Sequence, residues 1–173
     1  MESTVETVAK MMALAARTAP KAVGFDFIEI KILTGSEIEL VADEMFAYGR
    51  EHGRRNYDRD GDNVRRSSAI LLLALADAEP IRQDCGACGF ATCSEMKAHY
   101  REGSDFAGPV CSWRILDLGI ALGSAVKTAS LFNVDNRIMY RLGVVARKLG
   151  LIEGEHVIGV PLSATGKSIY FDR

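Results

Sequence analysis

Four cysteines, the full complement of the chain, run Cys85-x2-Cys88-x4-Cys93-x17-Cys111. Thiolates are soft ligands, and four of them in one stretch point to a bound metal or metal cluster. Two thiolates two residues apart can reach adjacent irons of a compact inorganic core from a single tight turn. The small residues Gly86, Ala87, Gly89 and Ala91 let the backbone approach and aim amides at sulfurs. Thr92-Cys93-Ser94-Glu95 reads as a capping box, which places Cys93 in the first turn of a helix ending near Gly103. The positive end of that helix dipole favours a thiolate. Cys111 falls just before a second helix, after Gly108-Pro109. Arg82, Lys97, Arg101 and Arg114 are close enough in sequence to offset the negative charge of a cluster.

Three chemistries compete for this spacing. A structural zinc site also takes four thiolates, but zinc ribbons usually show two close CxxC pairs, and only one is present. The plant-type ferredoxin order places its x4 gap before its x2 gap, the reverse of this chain. A CxxC redox dithiol would not require Cys93 and Cys111. A cubane 4Fe–4S cluster fits best and is favoured over 2Fe–2S.

Elements able to position these ligands can be read along the rest of the chain. Its 173 residues suit one domain, and a hydrophobic content of 48% supports a core without help from the cysteines. The net charge of −2 gives no global bias toward nucleic acid or acidic membranes. The N-terminus has no basic and apolar leader, and Ile115 to Leu131 is interrupted by Asp117 and Lys127, as in a buried helix. A cytoplasmic protein is expected, where disulfides are disfavoured and thiol clusters bind metals. Ser3-Thr4-Val5-Glu6 predicts a capped helix ending before Pro20, with Val5, Val8, Met12 and Ala15 or Ala16 on its apolar face. Phe27 to Leu33 alternates as a strand. Ser36-Glu37-Ile38-Glu39 predicts a second capped helix to about Glu51, with Ile38, Val41, Met45 and Tyr48 inward. Gly53 to Arg66 reads as polar and irregular, and Ala69 to Leu75 as a buried strand. Long helices are expected over 112–131 and 134–149, the latter capped by Gly150. Closing strands are expected at 156–160 and 168–171.

Lesser signals are weak. Asp58-Arg59-Asp60-Gly61-Asp62-Asn63 has its glycine and twelfth residue in the wrong places for a calcium loop. The Arg54-Arg55 and Arg65-Arg66 pairs form a basic cluster interleaved with acids. His99 lies on the predicted cluster-side helix, as a hydrogen bonder behind the ligands.

The segment Asp84-Cys85-Gly86-Ala87-Cys88-Gly89-Phe90-Ala91-Thr92-Cys93 resembles the small 4Fe–4S domain of corrinoid iron–sulfur proteins. It resembles still more closely a family of uncharacterised ferredoxin-domain proteins, and the four ligands carry over one for one. The flanks are similar to FMN-dependent nitroreductases: Ala16 to Ala22 leading into the first strand, Asp117-Leu118-Gly119-Ile120-Ala121, and Leu149 to Pro161. That resemblance implies an α+β fold over residues 1–173, with a nitroreductase-like antiparallel or mixed central sheet flanked by helices. The cysteine-rich cluster-binding insert would occupy 81–112. It also implies a homodimer, consistent with the apolar helix surface, and FMN with Arg17, Lys21, Lys167 and Arg173 as phosphate contacts. The Arg-Ser-x-Arg cluster of those enzymes is absent, and Val23-Gly24-Phe25-Asp26 stands where they carry a polar Asn. The expected function is a 4Fe–4S electron-transfer protein passing electrons to a flavin or partner protein. The alternatives are a nitroreductase-type FMN oxidoreductase and a zinc-stabilised, non-catalytic interaction protein.

Overall fold

The computed structural model describes residues 1–171. Its centre is strand β2 (Ala69–Leu75), whose seven residues are all buried. Successive side chains of a strand point to opposite faces, so an unbroken apolar run implies cover on both. Ala69, Leu71, Leu73 and Leu75 face one core, and Ile70, Leu72 and Ala74 the other. Each leucine so buried stabilises the fold by roughly 1.5–3 kcal/mol.

Strand β1 (Ile28–Leu33) pairs antiparallel with one edge of β2, Ile28 opposite Leu75 and Leu33 opposite Ile70. The other edge takes β6 (His156–Ser163), which in turn pairs with the short β5 (Asp135–Asn136). The sheet order β1-β2-β6-β5 is antiparallel throughout. A separate two-stranded hairpin joins β3 (Arg101–Glu102) to β4 (Ala107–Gly108).

Helices α1 (Glu2–Thr18) and α5 (Ser112–Leu131) cover the first face. Ala121, Ala125 and Ala129 are fully buried, and the Ser124 hydroxyl donates to the Ala15 carbonyl at 2.9 Å, linking α5 to α1. The second face carries α2 (Ser36–Glu51), α3 (Tyr57–Arg65) and α6 (Tyr140–Lys148). A Cβ at Gly143 would fall 1.8 Å from the Val157 carbonyl oxygen, so only glycine lets α6 lie this close to β6. The last short helix, α4 (Cys93–Ala98), lies between β2 and α5 in the chain. Among the described residues no helix is long and apolar enough to cross a membrane.

Several sequence expectations need correction. Residues 53–66 are not wholly irregular, because α3 forms around buried Tyr57, Asp60, Asn63 and Val64. Asp60 accepts from Arg59 and, at 2.8 Å, from Arg141 of α6, which makes this acidic run a helix–helix anchor. Ser3 and Ser36 cap nothing: the helices start at Glu2 and Ser36, with Met1 and Gly35 as N-caps and no side-chain cap bond. The helix expected over 134–149 begins only at Tyr140, since Asp135 and Asn136 pair with β6. The cysteine-bearing helix stops at Ala98 rather than near Gly103, where the hairpin takes over. Residues 168–171 form no strand.

Candidate metal centre

The loop from Asp84 to Thr92 enters the first turn of α4. Its conformation depends on Gly86 (φ 73°) and Gly89 (φ 86°), left-handed positions that cost glycine nothing. The Gly89 amide donates to the Gly86 carbonyl at 2.9 Å and tightens the turn bearing Cys85 and Cys88. Thr92 is an extended N-cap whose hydroxyl accepts from the Glu95 amide at 3.1 Å. The Glu95 carboxylate reaches back to the Ala91 amide, also at 3.1 Å, completing a variant of the expected capping box. Cys93 is the first helical residue, and its own amide donates to the Asp84 carboxylate at 2.7 Å. Asp84 holds a left-handed φ of 46° and so closes the loop on itself.

Cys111 is the N-cap of α5, as expected. The next residue, Ser112, donates its hydroxyl to the Ala87 carbonyl at 3.0 Å, stitching the start of α5 to the CxxC turn. These contacts bring all four cysteines to one cavity, shared with Phe90, Met96 and Trp113. Exposure falls from Cys85, in solvent, through half-buried Cys88 and Cys93 to buried Cys111, and all four are free thiols. Among the described residues no group of three or more His, Cys, Asp or Glu side chains is positioned to hold a metal ion.

The surroundings suit a thiolate-bound group. The Ala87 amide beside Cys85, and then the indole N–H of Trp113, hold the Cys85 thiol below its ordinary range. Both donate to sulfur, the contact that stabilises anionic thiolate ligands. The N-terminus of the twenty-residue α5 adds a favourable dipole at Cys111.

Two of the nearby cations, Arg114 and Lys97, are committed elsewhere. Arg114 is 1% exposed; its Nε donates to the Glu79 carbonyl at 2.7 Å and its Nη1 to Asp117 at 2.9 Å. Nη1 also reaches the carbonyls of Ala22 at 3.0 Å and Phe25 at 3.3 Å, while Asp117 accepts from the Ala22 amide at 2.7 Å. This buried pair therefore locks the start of α5 to the turn after α1. The turn includes Val23 at φ 51°, a conformation costing a β-branched residue on the order of 1–3 kcal/mol. Lys97 pairs with Glu79 at 2.6 Å, and Arg82 approaches the same carboxylate at 3.8 Å. His99 meets the Phe90 ring at a tilt, centroids 5.1 Å apart, and its Nδ1 lies 2.8 Å from the Glu95 carbonyl oxygen.

Of the flavin candidates, Arg17 and Lys21 meet at Asp26, and Lys167 lies in a different depression. Lys21 turns inward and donates to the carbonyls of Ala16, Arg17 and Ala19 at 2.7–2.9 Å, capping the end of α1. Arg17 pairs with Asp26 at 2.7 Å. Lys167 lines a different depression, with Arg66 and Thr165. Arg173 lies outside the described residues.

A second polar cluster escaped sequence reading. Asp105, at the tip of the β3–β4 hairpin and 8% exposed, accepts from Tyr140 and from Tyr48 at 3.3 Å. Two guanidinium nitrogens of Arg54 stand 3.4 Å from its oxygens. Burial and then the Asp105 charge push the Tyr57 hydroxyl up to about 12, and burial with the Asp105 hydrogen bond does the same to Tyr140. The cluster fastens the hairpin after α4 to the α2–α3 corner. Only an isolated Asp between aromatic positions signals it, and no local pattern does.

A sequence profile for the family described as "Uncharacterized protein containing a ferredoxin domain" matches residues 107–173. A protein of Archaeoglobus fulgidus, described as uncharacterized, is 50% identical over 169 residues, covering 98% of this chain and 91% of its own. The fold is similar to the FMN-dependent nitroreductase NfnB from Mycobacterium smegmatis, with a TM-score of 0.61 at 9% identity over 93% of this chain and 78% of that one. A nitroreductase with bound FMN from Desulfitobacterium hafniense gives 0.60 at 13% identity, with the same coverage of both chains. The NADPH:FMN oxidoreductase from Vibrio harveyi gives 0.57 at 13% identity over 94% of this chain. Against that enzyme the chain spans only 60% of the length. At these identities the likeness establishes the fold, which is the expected nitroreductase-like α+β architecture.

Proposed function

The chain belongs to the family of uncharacterized proteins containing a ferredoxin domain, and from that membership we propose that it is an iron–sulfur redox protein. In this reading Cys85, Cys88, Cys93 and Cys111 each give one thiolate to a 4Fe–4S cluster, carried by segment 81–112 on the nitroreductase-like frame. The observation that carries it is the convergence of four free thiols on one cavity. A cluster so held supplies one-electron transfer, at a potential set by hydrogen bonds to its sulfurs and by solvent exposure. The chain's own residues fix the ligands: Asp84 and Thr92 set the start of α4, Ser112 ties α5 to the CxxC turn, and Trp113 and the Ala87 amide donate to Cys85.

Protein prepared without oxygen should contain about four irons and four sulfides per chain and a broad visible band. Colourless protein holding only zinc would sink the reading in favour of a zinc-stabilised interaction protein, in which the thiolates supply folding energy. The electron partner is a flavin or another protein, in the cytoplasm, and the working unit is a homodimer. The apolar stripe of α5, where Trp113, Leu116 and Ile120 are 38–49% exposed, supports the dimer. A monomeric mass by light scattering at micromolar concentration counts against it.

A second reading, an FMN oxidoreductase, is supported by the likeness of the fold to FMN-binding proteins. Arg17, Lys21, Lys167 and Arg173 are its proposed phosphate contacts, although Lys21 would first have to leave the carbonyls it caps. Saturable FMN binding in the micromolar range, weakened in Lys167→Ala, separates it from the first reading.

A further inference from the structure

A cleft of about 300 Å³ opens beside the thiol centre, between the turn after α1 and the chain leading into Cys85. Clefts that take small molecules run to roughly 300–1,000 Å³. Its walls are mainly apolar and include Phe25, Phe27, Val23 and Ile81. Two of these are left in solvent, Phe25 at 63% and Val23 at 59% exposure, where large apolar groups gain nothing from folding.

The cleft is preformed. The Asp117 carboxylate holds the Ala22 amide, and the Arg114 guanidinium holds the carbonyls of Ala22 and Phe25 while lying 4.7 Å from the Phe27 ring centroid. Val23 keeps its left-handed φ of 51° because these bonds fix both sides of it. A site already ordered spares its ligand the cost of ordering it.

Charge selects the occupant. The one carboxylate on the wall, Glu79, is bound by Lys97 at 2.6 Å, and Arg114 is matched by Asp117. Arg82 remains, with its side chain 80% exposed and its nearest carboxylate 3.8 Å away, beyond hydrogen-bond reach. The most exposed charge at the rim is the Arg82 guanidinium, which shares Glu79 with Lys97 and whose fork of donors fits a carboxylate.

We propose that this cleft binds a small planar aromatic acid, its ring against Phe25, Phe27 and Ile81 and its anionic group at Arg82. The site stands beside the thiols: Arg82 lies three residues before Cys85, and Arg114 one helical turn after Cys111. A ligand there would be next to whatever the cysteines hold. Binding itself does not require the cluster reading to be right.

The test is calorimetric titration of 2-naphthoate into the full chain, with iron and sulfide measured on the same samples. Saturable binding of one naphthoate per chain is expected. Arg82→Gln should weaken it about tenfold, and Phe25→Ala at least about fivefold. The neutral analogue 2-naphthylmethanol should bind more weakly than the acid. Both substitutions fall on exposed side chains, and unchanged thermal melts establish that the variants fold. No saturation at millimolar naphthoate, or equal affinity in both variants, overturns the proposal. So does a wild-type dimer that binds no naphthoate and becomes monomeric in Phe25→Ala, because the patch would then belong to a second copy. Naphthoate binding to a cluster-free sample leaves the cleft standing while the cluster reading falls, so the two failures are distinguishable.

Discussion

The two sides of the sheet are built to different degrees of completion. The α2–α3–α6 side closes on itself: Asp60 is met by Arg59 and Arg141, Asp105 by two tyrosines and an arginine, and Gly143 seats α6 on β6. The α1–α5 side has an equally dry inner core, yet its outer surface leaves Met11, Leu14, Leu116 and Ile120 in solvent. The same side carries the thiol cavity and the aromatic cleft. Soluble chains rarely expose such neighbouring apolar groups without a use for them. One side is fastened by buried ion pairs, and the other leaves apolar surface beside the thiol cavity and the cleft.

Substitutions on the two sides should separate these tasks. The largest effect is expected from Arg114→Met, which leaves Asp117 charged and buried without its partner. A loss of about 3–5 kcal/mol is expected in denaturant titrations, together with reduced metal content, because the start of α5 is released. Leu72→Ala strikes the opposite core and should cost about 2–5 kcal/mol with metal content per folded chain unchanged. Equal loss of metal in both variants would show that the two sides are not independent. Leu116→Glu should barely move the melting temperature but should halve the mass seen by light scattering. An unchanged mass would place the dimer contact elsewhere.

The smallest effect sharpens the far side. Burial, and then the charge of Arg147, hold His156 below its ordinary value near 6.5, so the folded state keeps it neutral. The unfolded chain then binds a proton first as pH falls, so His156 costs stability below about pH 6.5 and nothing above it. His156→Gln should flatten the dependence of melting temperature on pH between about 5 and 7. A slope identical to that of the parent chain would assign the acid sensitivity to other groups.

What could be read in advance was local. The β1 and β2 runs, the full span of α5, the Thr92 cap and Cys111 at a helix start all follow from neighbouring residues. So does Gly150, where the Leu151 amide bonds to the Ala146 carbonyl across a left-handed glycine. The elements missed depend on distant partners. Helix α3 has a polar sequence and forms because Asp60 is met by Arg141, 81 residues away. Asp135 and Asn136 leave a helical pattern for a strand because β6 offers an edge. The motif at Ser36 fails because Gly35 takes the cap position one residue earlier. At the site, the four cysteines were plain, whereas Asp84 and Trp113 act through contacts that spacing does not encode. Lys21 was expected at a flavin phosphate, and its inward turn onto the end of α1 is a matter of rotamer rather than of sequence.

The thiol loop is stitched together by the chain itself. Asp84 to the Cys93 amide, Thr92 to Glu95, and Ser112 to Ala87 are bonds among light atoms, with no metal among their partners. The backbone of the loop is held by the chain's own donors and acceptors. Cys85, open to solvent, is the thiol that a donor would meet first, and Cys111, at the buried end, the one reached last. A group held there would have one thiolate at the open end of the cavity and one at its closed end.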